Sequence, residues 1–187
     1  MIVPGIGQSG GSLVPHADSL GVIISLPASL TADLAHKRAE YAGPEMPVVP
    51  AHVTLVSGRT KESWAAAAEH VRRIAADFAP FHLSLRGTGT FEPLSAVVFL
   101  NVEMGAEDCA ELHTKLLQGP LEHLLEFEFH PHLTIAHDLP EATMAKAKAE
   151  LAGFEADFEV VSIGLYNFIE GSWALREELI LGGTSRT

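Results

Sequence analysis

Cysteine is almost missing from this chain: Cys109 is the only one in 187 residues. No intramolecular disulfide can form, and a zinc site built on several thiolates is excluded. A reducing cytoplasm is therefore the expected compartment. Long apolar runs are missing as well. The longest, "GVIISLPASL" and "SAVVFL", are strand-sized and far short of the roughly 20 residues a membrane-crossing helix needs. The opening "MIVPGIGQSGGSLVPHADS" has neither a basic start nor a continuous apolar core, so residues 1–19 read as a flexible lead-in and not as a secretion signal. No glycine-rich phosphate loop joins a first strand to a helix. The one candidate, "GTGTF" (87–91), lies between two strands and reads as a turn, which removes a dinucleotide-binding parallel sheet from consideration.

A basic excess is the next absence. The chain holds 12 Lys and Arg against 24 Asp and Glu. Residues 1–86 balance at seven of each sign, whereas residues 87–187 carry five basic and seventeen acidic side chains. Proteins that grip long nucleic acids through phosphates need a positive surface. Here there is only a local group: Arg59, Lys61, Arg72, Arg73 and Arg86. An extended nucleic-acid surface is excluded, while a small anionic ligand fits.

What is present is an alternation of short β-branched runs and helical stretches. "GVIISL" reads as a buried strand, and "TADLAHKRAEYAG" as a helix with Thr31 as N-cap and Gly43 at its end. "PVVPAHVTLVS" is a strand. "KESWAAAAEHVRRIAADF" (61–78) is an alanine-rich helix capped by Thr60, with Trp64 directed to the core, and "FHLSLRG" is a half-buried strand. The second half repeats the order: strand "SAVVFLNVE", helix "GAEDCAELHTKLLQG", strand "FHPHLTIAH", helix "PEATMAKAKAELAG" with Pro140 in its first turn, then "FEADFEVVSIGLYNFI" and "SWALREELILGG" as a closing pair of strands. Each half is β-α-β-α-β, a duplication visible in element order and not in identity.

In both halves the second strand carries the same tetrapeptide pattern: His52-Val53-Thr54-Leu55 and His132-Leu133-Thr134-Ile135, eighty residues apart. Alternate residues of a strand share a face, so each His stands beside its Thr while the apolar pair turns to the helices. A pseudo-twofold relation between the halves would bring the two faces to one cleft. Histidine exchanges protons near neutral pH. Two imidazoles on opposite sides of a phosphodiester can therefore divide the work, one taking a proton from the attacking water and the other protonating the departing ribose oxygen. Two threonine hydroxyls can hydrogen-bond the non-bridging oxygens. This chemistry needs no metal and no cofactor.

With "HVTL" and "HLTI" in place, together with the "GTGTF" segment, "PHLTIA" and "IGLYNF", the chain resembles the two-histidine (2H) phosphoesterase superfamily, in its 2′-5′ RNA ligase-like and cyclic phosphodiesterase branch. The resemblance spans about residues 20–183, a single bilobal domain with 184–187 as a tail. It implies an α+β fold of two lobes, with antiparallel sheets around a central cleft and helices outside. It also implies that His52 and His132 transfer protons while Thr54 and Thr134 bind phosphate. The activities it implies are opening of 2′,3′-cyclic phosphates, hydrolysis of ADP-ribose cyclic phosphate, and cleavage or joining of 2′-5′ RNA linkages; some relatives only bind nucleotides. Where relatives of this branch often have Arg after the second motif, this chain has His137. That departure and the acidic second half favour a small nucleotide-like ester or an RNA end, handled by a monomer. A 2′-5′ ligase, a non-catalytic nucleotide-binding module and a metal-dependent hydrolase are the rival readings.

Around these four residues, His130 shares the parity of His132 and is a candidate for the cleft rim; strand-end exposure explains it as well. His137 has the opposite parity and is expected to point away. A zinc set of His130, His132 and His137 would need both strand faces to converge. Phe91, Phe129 and Tyr166 are candidates for stacking on a base, each with a core role as its alternative. Arg59 and Arg86 are expected to be solvated surface cations.

Overall fold

The computed structural model of the chain describes residues 19–42, 50–124, 128–170 and 172–184. In chain order these form β1 (Ser19–Ser25), α1 (Ala28–Ala42), β2 (His52–Thr60), α2 (Trp64–Asp77), β3 (Phe81–Thr90), β4 (Val97–Val102), α3 (Ala106–Leu117), β5 (Leu121–His123), β6 (His132–His137), α4 (Glu141–Glu150), β7 (Glu155–Val160), β8 (Ser162–Ile169) and β9 (Ser172–Ile180). The fold is α+β. All strand pairs are antiparallel, and the two expected sheets are the wings of one sheet in the order β7-β3-β4-β6-β2-β1-β8-β9, with β5 added to β2.

The wings do not coincide with the sequence halves. β3, from the first half, lies between β4 and β7. β8, from the second half, pairs with β1. Exchange of these strands ties each half into both wings. It also breaks the expected long strand "FEADFEVVSIGLYNFI" in two, since β7 and β8 belong to opposite ends of the sheet. The second half contributes six strands, β4 to β9, against three in the first, and the short β5 has no counterpart there.

Helices cover one face. α1 packs on β6 and α3 on β2, so each crosses from its own half to the motif strand of the other; α2 lies on β8 and β9, and α4 on β3, β4 and β6. The main core lies between these helices and the sheet. Val53, Leu55, Val56, Leu133, Ile135 and Ala136 of the motif strands meet Leu34, Val71, Leu112, Leu116 and Met144 of the helices. Cys109 is fully buried there, and burial pushes its thiol up to about 12, which keeps it unreactive. Among the described residues no helix is long and apolar enough to cross a membrane.

Several local expectations need correction. Thr31 is not the N-cap of α1, which starts three residues earlier; its hydroxyl donates back to the carbonyls of Leu26 and Pro27 (3.2 and 3.1 Å). Gly43 lies outside the described residues. Helix α2 is capped by Ser63, whose hydroxyl accepts from the Ala66 amide at 3.2 Å, and not by Thr60. Pro140 is the N-cap of α4 and not part of its first turn. "GTGTF" is no turn either: β3 continues to Thr90 through a bulge at Gly87, whose φ of 55° suits glycine. The connection to β4 is residues 91–96.

One half-buried histidine, with both ring nitrogens out of reach of solvent, is costly. His123 of β5 lies edge-on to His113 of α3 (5.0 Å between centroids), and neither of its ring nitrogens has a hydrogen-bond partner among the described residues. Burial, aided by His113, lowers its pKa to about 4. A histidine depressed in the folded state contributes its full stability above the unfolded value near 6.5 and loses it as pH falls through that range toward 4. We expect His123→Leu to raise stability by about 1 kcal/mol at pH 7.5, and by more at pH 5. Thermal unfolding at the two pH values checks this; a variant that gains nothing at pH 5 would show that the ring is satisfied.

Candidate active site

β2 and β6 touch through a single antiparallel pair, Val53 opposite Leu133, at the seam of the two wings. Both side chains are fully buried on the helix side. Continuing that register by one residue sets His52 opposite Thr134 and Thr54 opposite His132, all four on the open face of the sheet. The pseudo-twofold axis thus runs through the Val53–Leu133 pair and exchanges the motifs. All four side chains are half-buried.

The two imidazoles are held alike. His52 Nδ1 is 2.8 Å from the carbonyl of Pro50, and His132 Nδ1 is 2.7 Å from the carbonyl of His130. A carbonyl only accepts, so Nδ1 carries the proton in both rings and the neutral Nε2 keeps a lone pair. Burial lowers the pKa of His52 to about 4, opposed by the bond to Pro50 and reinforced by the nearby charges of Arg38 and His132. Burial also lowers His132, opposed by its bond to His130 and reinforced by the His130 ring. Both rings are bases at neutral pH.

Each motif strand carries a bulge just after its threonine. Across β1 the register slips between Val22 and Ile23, leaving Leu55 extra; across β4 it slips between Val98 and Phe99, leaving Ile135 extra. Two consecutive apolar residues (Leu55-Val56, Ile135-Ala136) can then both enter the core. The bulge also reverses the parity beyond it. His137 pairs with Val97, on the side of Phe99 and Thr134, so it shares the open face with His132, contrary to expectation. It is exposed, with Asp138 at 3.3 Å.

Rings wall both wings on this face. Beside His132 stand Phe91 (4.9 Å, nearly perpendicular) and Phe99 (5.1 Å); these two phenyl rings pack on each other at 4.4 Å, and His130 adjoins both at 5.8 and 5.5 Å. Phe99 pairs with Thr134, as Ile23 pairs with Thr54 on the other wing. Ile23 forms a separate cluster with Trp173, Tyr166 and Phe168, and the Tyr166 hydroxyl lies near the side chain of Ser25, the cross-strand neighbour of His52. Phe91, His130 and Tyr166 are therefore brought to the four motif residues. Phe129 is not: it stacks on His113 at 4.0 Å, packed against the helix-side core.

Sequence reasoning missed Phe99, Asn101, Arg38 and Trp173. "SAVVFLNV" looks like one buried run, and only its pairing with β6 shows that Phe99 and Asn101 face the motifs. The basic residues it did note are largely taken by carboxylates. Arg59 donates to Glu122 at 2.8 Å, Arg72 to Glu177 at 2.6 and 2.7 Å, and Arg86 to both oxygens of Asp157 at 2.7 Å. Among the described residues no three His, Cys, Asp or Glu side chains converge in a way that could hold a metal ion.

A sheet of two pseudo-symmetric wings with a His-X-Thr strand from each at the seam defines a 2H phosphoesterase fold. The sequence model of the 2′-5′ RNA ligase superfamily matches residues 26–171, and the chain belongs to that family. A Geobacillus kaustophilus protein named "Putative phosphoesterase" is 31% identical over 167 residues, covering 86% of this chain and 95% of that one. An Oceanobacillus iheyensis protein with the same description is 28% identical over 165 residues, covering 86% and 96%. Among solved structures, E. coli LigT complexed with 3′-AMP superposes with a TM-score of 0.66 at 25% identity, covering 88% of this chain and 98% of that one. The Thermus thermophilus protein TT0787 gives 0.64 at 22% identity, covering 89% and 100%, a likeness of fold.

The tautomer and basicity of the pair are measurable. In ¹H–¹⁵N spectra of the imidazoles at pH 7, His52 and His132 are both expected as Nδ1–H forms. His52 is expected to titrate near pH 4 and His132 below 6.5. A His52 midpoint at or above 6.5 would contradict a desolvated imidazole at this position.

Proposed function

We propose that the protein is a metal-independent phosphodiesterase for cyclic or 2′-linked phosphodiesters of small nucleotides or RNA ends, 2′,3′-cyclic phosphates and ADP-ribose cyclic phosphate included. The observation that carries this reading is the Val53–Leu133 pairing, which sets both His-X-Thr pairs on one face. Belonging to a family whose relatives are named phosphoesterases supports it, as does the likeness to LigT, whose structure holds 3′-AMP.

In this reading the phosphate lies between Thr54 and Thr134, whose hydroxyls donate to its non-bridging oxygens as charge grows there. His52, the more strongly depressed base, takes a proton through Nε2 from the attacking water. A phosphorus–oxygen bond to that water forms, and the bond to a ribose oxygen breaks. His132 enters protonated and gives its Nε2 proton to the departing oxygen; proton exchange with solvent then resets the pair. Phosphate itself promotes this state, because its negative charge raises the pKa of an adjacent imidazole. With a ribose 5′-hydroxyl in place of water, attack on a 2′,3′-cyclic phosphate forms the new phosphorus–oxygen bond and breaks the bond to the 3′ oxygen, so the same arrangement would join 2′-5′ ends, and the reverse of that step would cleave them.

Turnover of nucleoside 2′,3′-cyclic phosphates, ADP-ribose cyclic phosphate and 2′-5′ dinucleotides tests the reading. His52→Ala and His132→Ala should each lower kcat by about 10²–10⁴-fold, in the presence of chelator as in its absence. kcat/KM should be bell-shaped with its maximum below pH 6.5. One ring must be neutral and the other protonated, and both free-state values are depressed. Full activity in both variants would sink it, and nucleotide binding without turnover on any substrate would reassign the protein as a binding module.

A further inference from the structure

Asn101 has a place that hydrolysis alone does not explain. On β4 it pairs with His132 on one side and with Arg86 of β3 on the other, so it stands on the open face beside the motif. The bulge at Gly87 lies next to Arg86, and the Asn101 side-chain Nδ2 donates to the Arg86 carbonyl at 3.1 Å. With Nδ2 committed as a donor to a carbonyl, the amide orientation is fixed and Oδ1 is left as an acceptor. Oδ1 lies above Gly89, where a Cβ would come within 2.9 Å of it and within 2.5 Å of the Phe99 ring. Glycine at 89 therefore makes room for a phenyl floor and an amide acceptor side by side. At the pseudo-equivalent position of the other wing stands Ser25, the partner of His52, whose side chain lies near the Tyr166 hydroxyl. The two wings are thus unequal: one presents Phe99 and Phe91 with an oriented acceptor at their edge.

We propose that Asn101 is a specificity-determining residue, whose Oδ1 accepts a hydrogen bond from a nucleoside bound over the His132–Phe99 side of the site. This rests on the functional reading above and adds which wing holds the nucleoside. An acceptor gains nothing from a phosphodiester group, which offers only acceptors, and favours a donor attached to it: a ribose hydroxyl or a base amino group. A site that hydrogen-bonds such a donor disfavours the analogue lacking it, because the acceptor is then left unpaired.

Binding of 3′-AMP, 2′-deoxy-3′-AMP and inosine 3′-monophosphate, with inorganic phosphate as reference, tests this by calorimetry. The wild type should prefer 3′-AMP over one analogue by about five- to tenfold; the weaker analogue identifies the donor as hydroxyl or amine. Asn101→Ala should abolish that preference, whereas Asn101→Asp, which keeps an acceptor and loses the bond to Arg86, should weaken all nucleotides yet retain it. Equal loss on all ligands in Asn101→Ala with the preference intact would reduce Asn101 to a cap for the bulge and overturn the proposal. So would a wild type indifferent to both analogues. A wild type that binds neither phosphate nor 3′-AMP would fell the functional reading and this proposal together.

Discussion

Everything at the site depends on one cross-strand pair. Val53 and Leu133 meet where β2 and β6 touch, both without solvent exposure, and each wing of the sheet is anchored through them. A strand pair slipped by one residue sends every side chain to the opposite face. The burial of these two residues against the helices therefore decides where His52, Thr54, His132 and Thr134 point. One pair is a thin join for a nine-stranded sheet. α1 on β6 and α3 on β2 reinforce it from behind, because each helix spans the seam from its own half. The exchange of β3 and β8 between wings does the same at longer range.

The symmetric bulges add a second constraint. By giving both Leu55 and Val56, and both Ile135 and Ala136, to the core, they let the motif strands bury more than alternation allows. They also set Ile23 and Phe99 beside the threonines, with Gly164 and Gly89 as their outer neighbours. The resulting floors are close to apolar, and the burial they provide is the main cause of the depressed basicity of the two imidazoles, with the neighbouring charges adding to it.

This explains which parts were legible in sequence. Inside the tetrapeptides the period of two holds, so the shared face of His and Thr could be read directly. Three residues later it fails: the extra Ile135 turned His137 to the face that parity denied it. Element order and class were readable because the helices are strongly punctuated, and their caps less so, since Thr31, Thr60 and Ser63 are chemically similar candidates. Strand exchange and the split of β7 from β8 were not readable, because partners far apart in sequence leave no local mark. The same holds for aromatics. Phe91 and Phe129 look alike in sequence, yet one lies against His132 and the other against His113 behind the sheet.

Electrostatics gives the site its particular character. Twenty-four acidic side chains outnumber twelve basic ones, and Arg59, Arg72 and Arg86 are held by carboxylates. An anionic ligand thus meets hydroxyl dipoles and two desolvated imidazoles, with Arg38 as the cation that His52 senses. Imidazoles that are neutral at neutral pH can attract phosphate fully only by gaining a proton. In the proposed reaction, the proton that His132 would hold as an acid is one that a phosphate ligand's own charge would help to recruit. A permanent cation in the same place would bind phosphate more tightly in every state. A protonation-dependent arrangement would instead couple phosphate binding to the charged form that the proposed reaction requires, and would loosen its hold when that proton is lost.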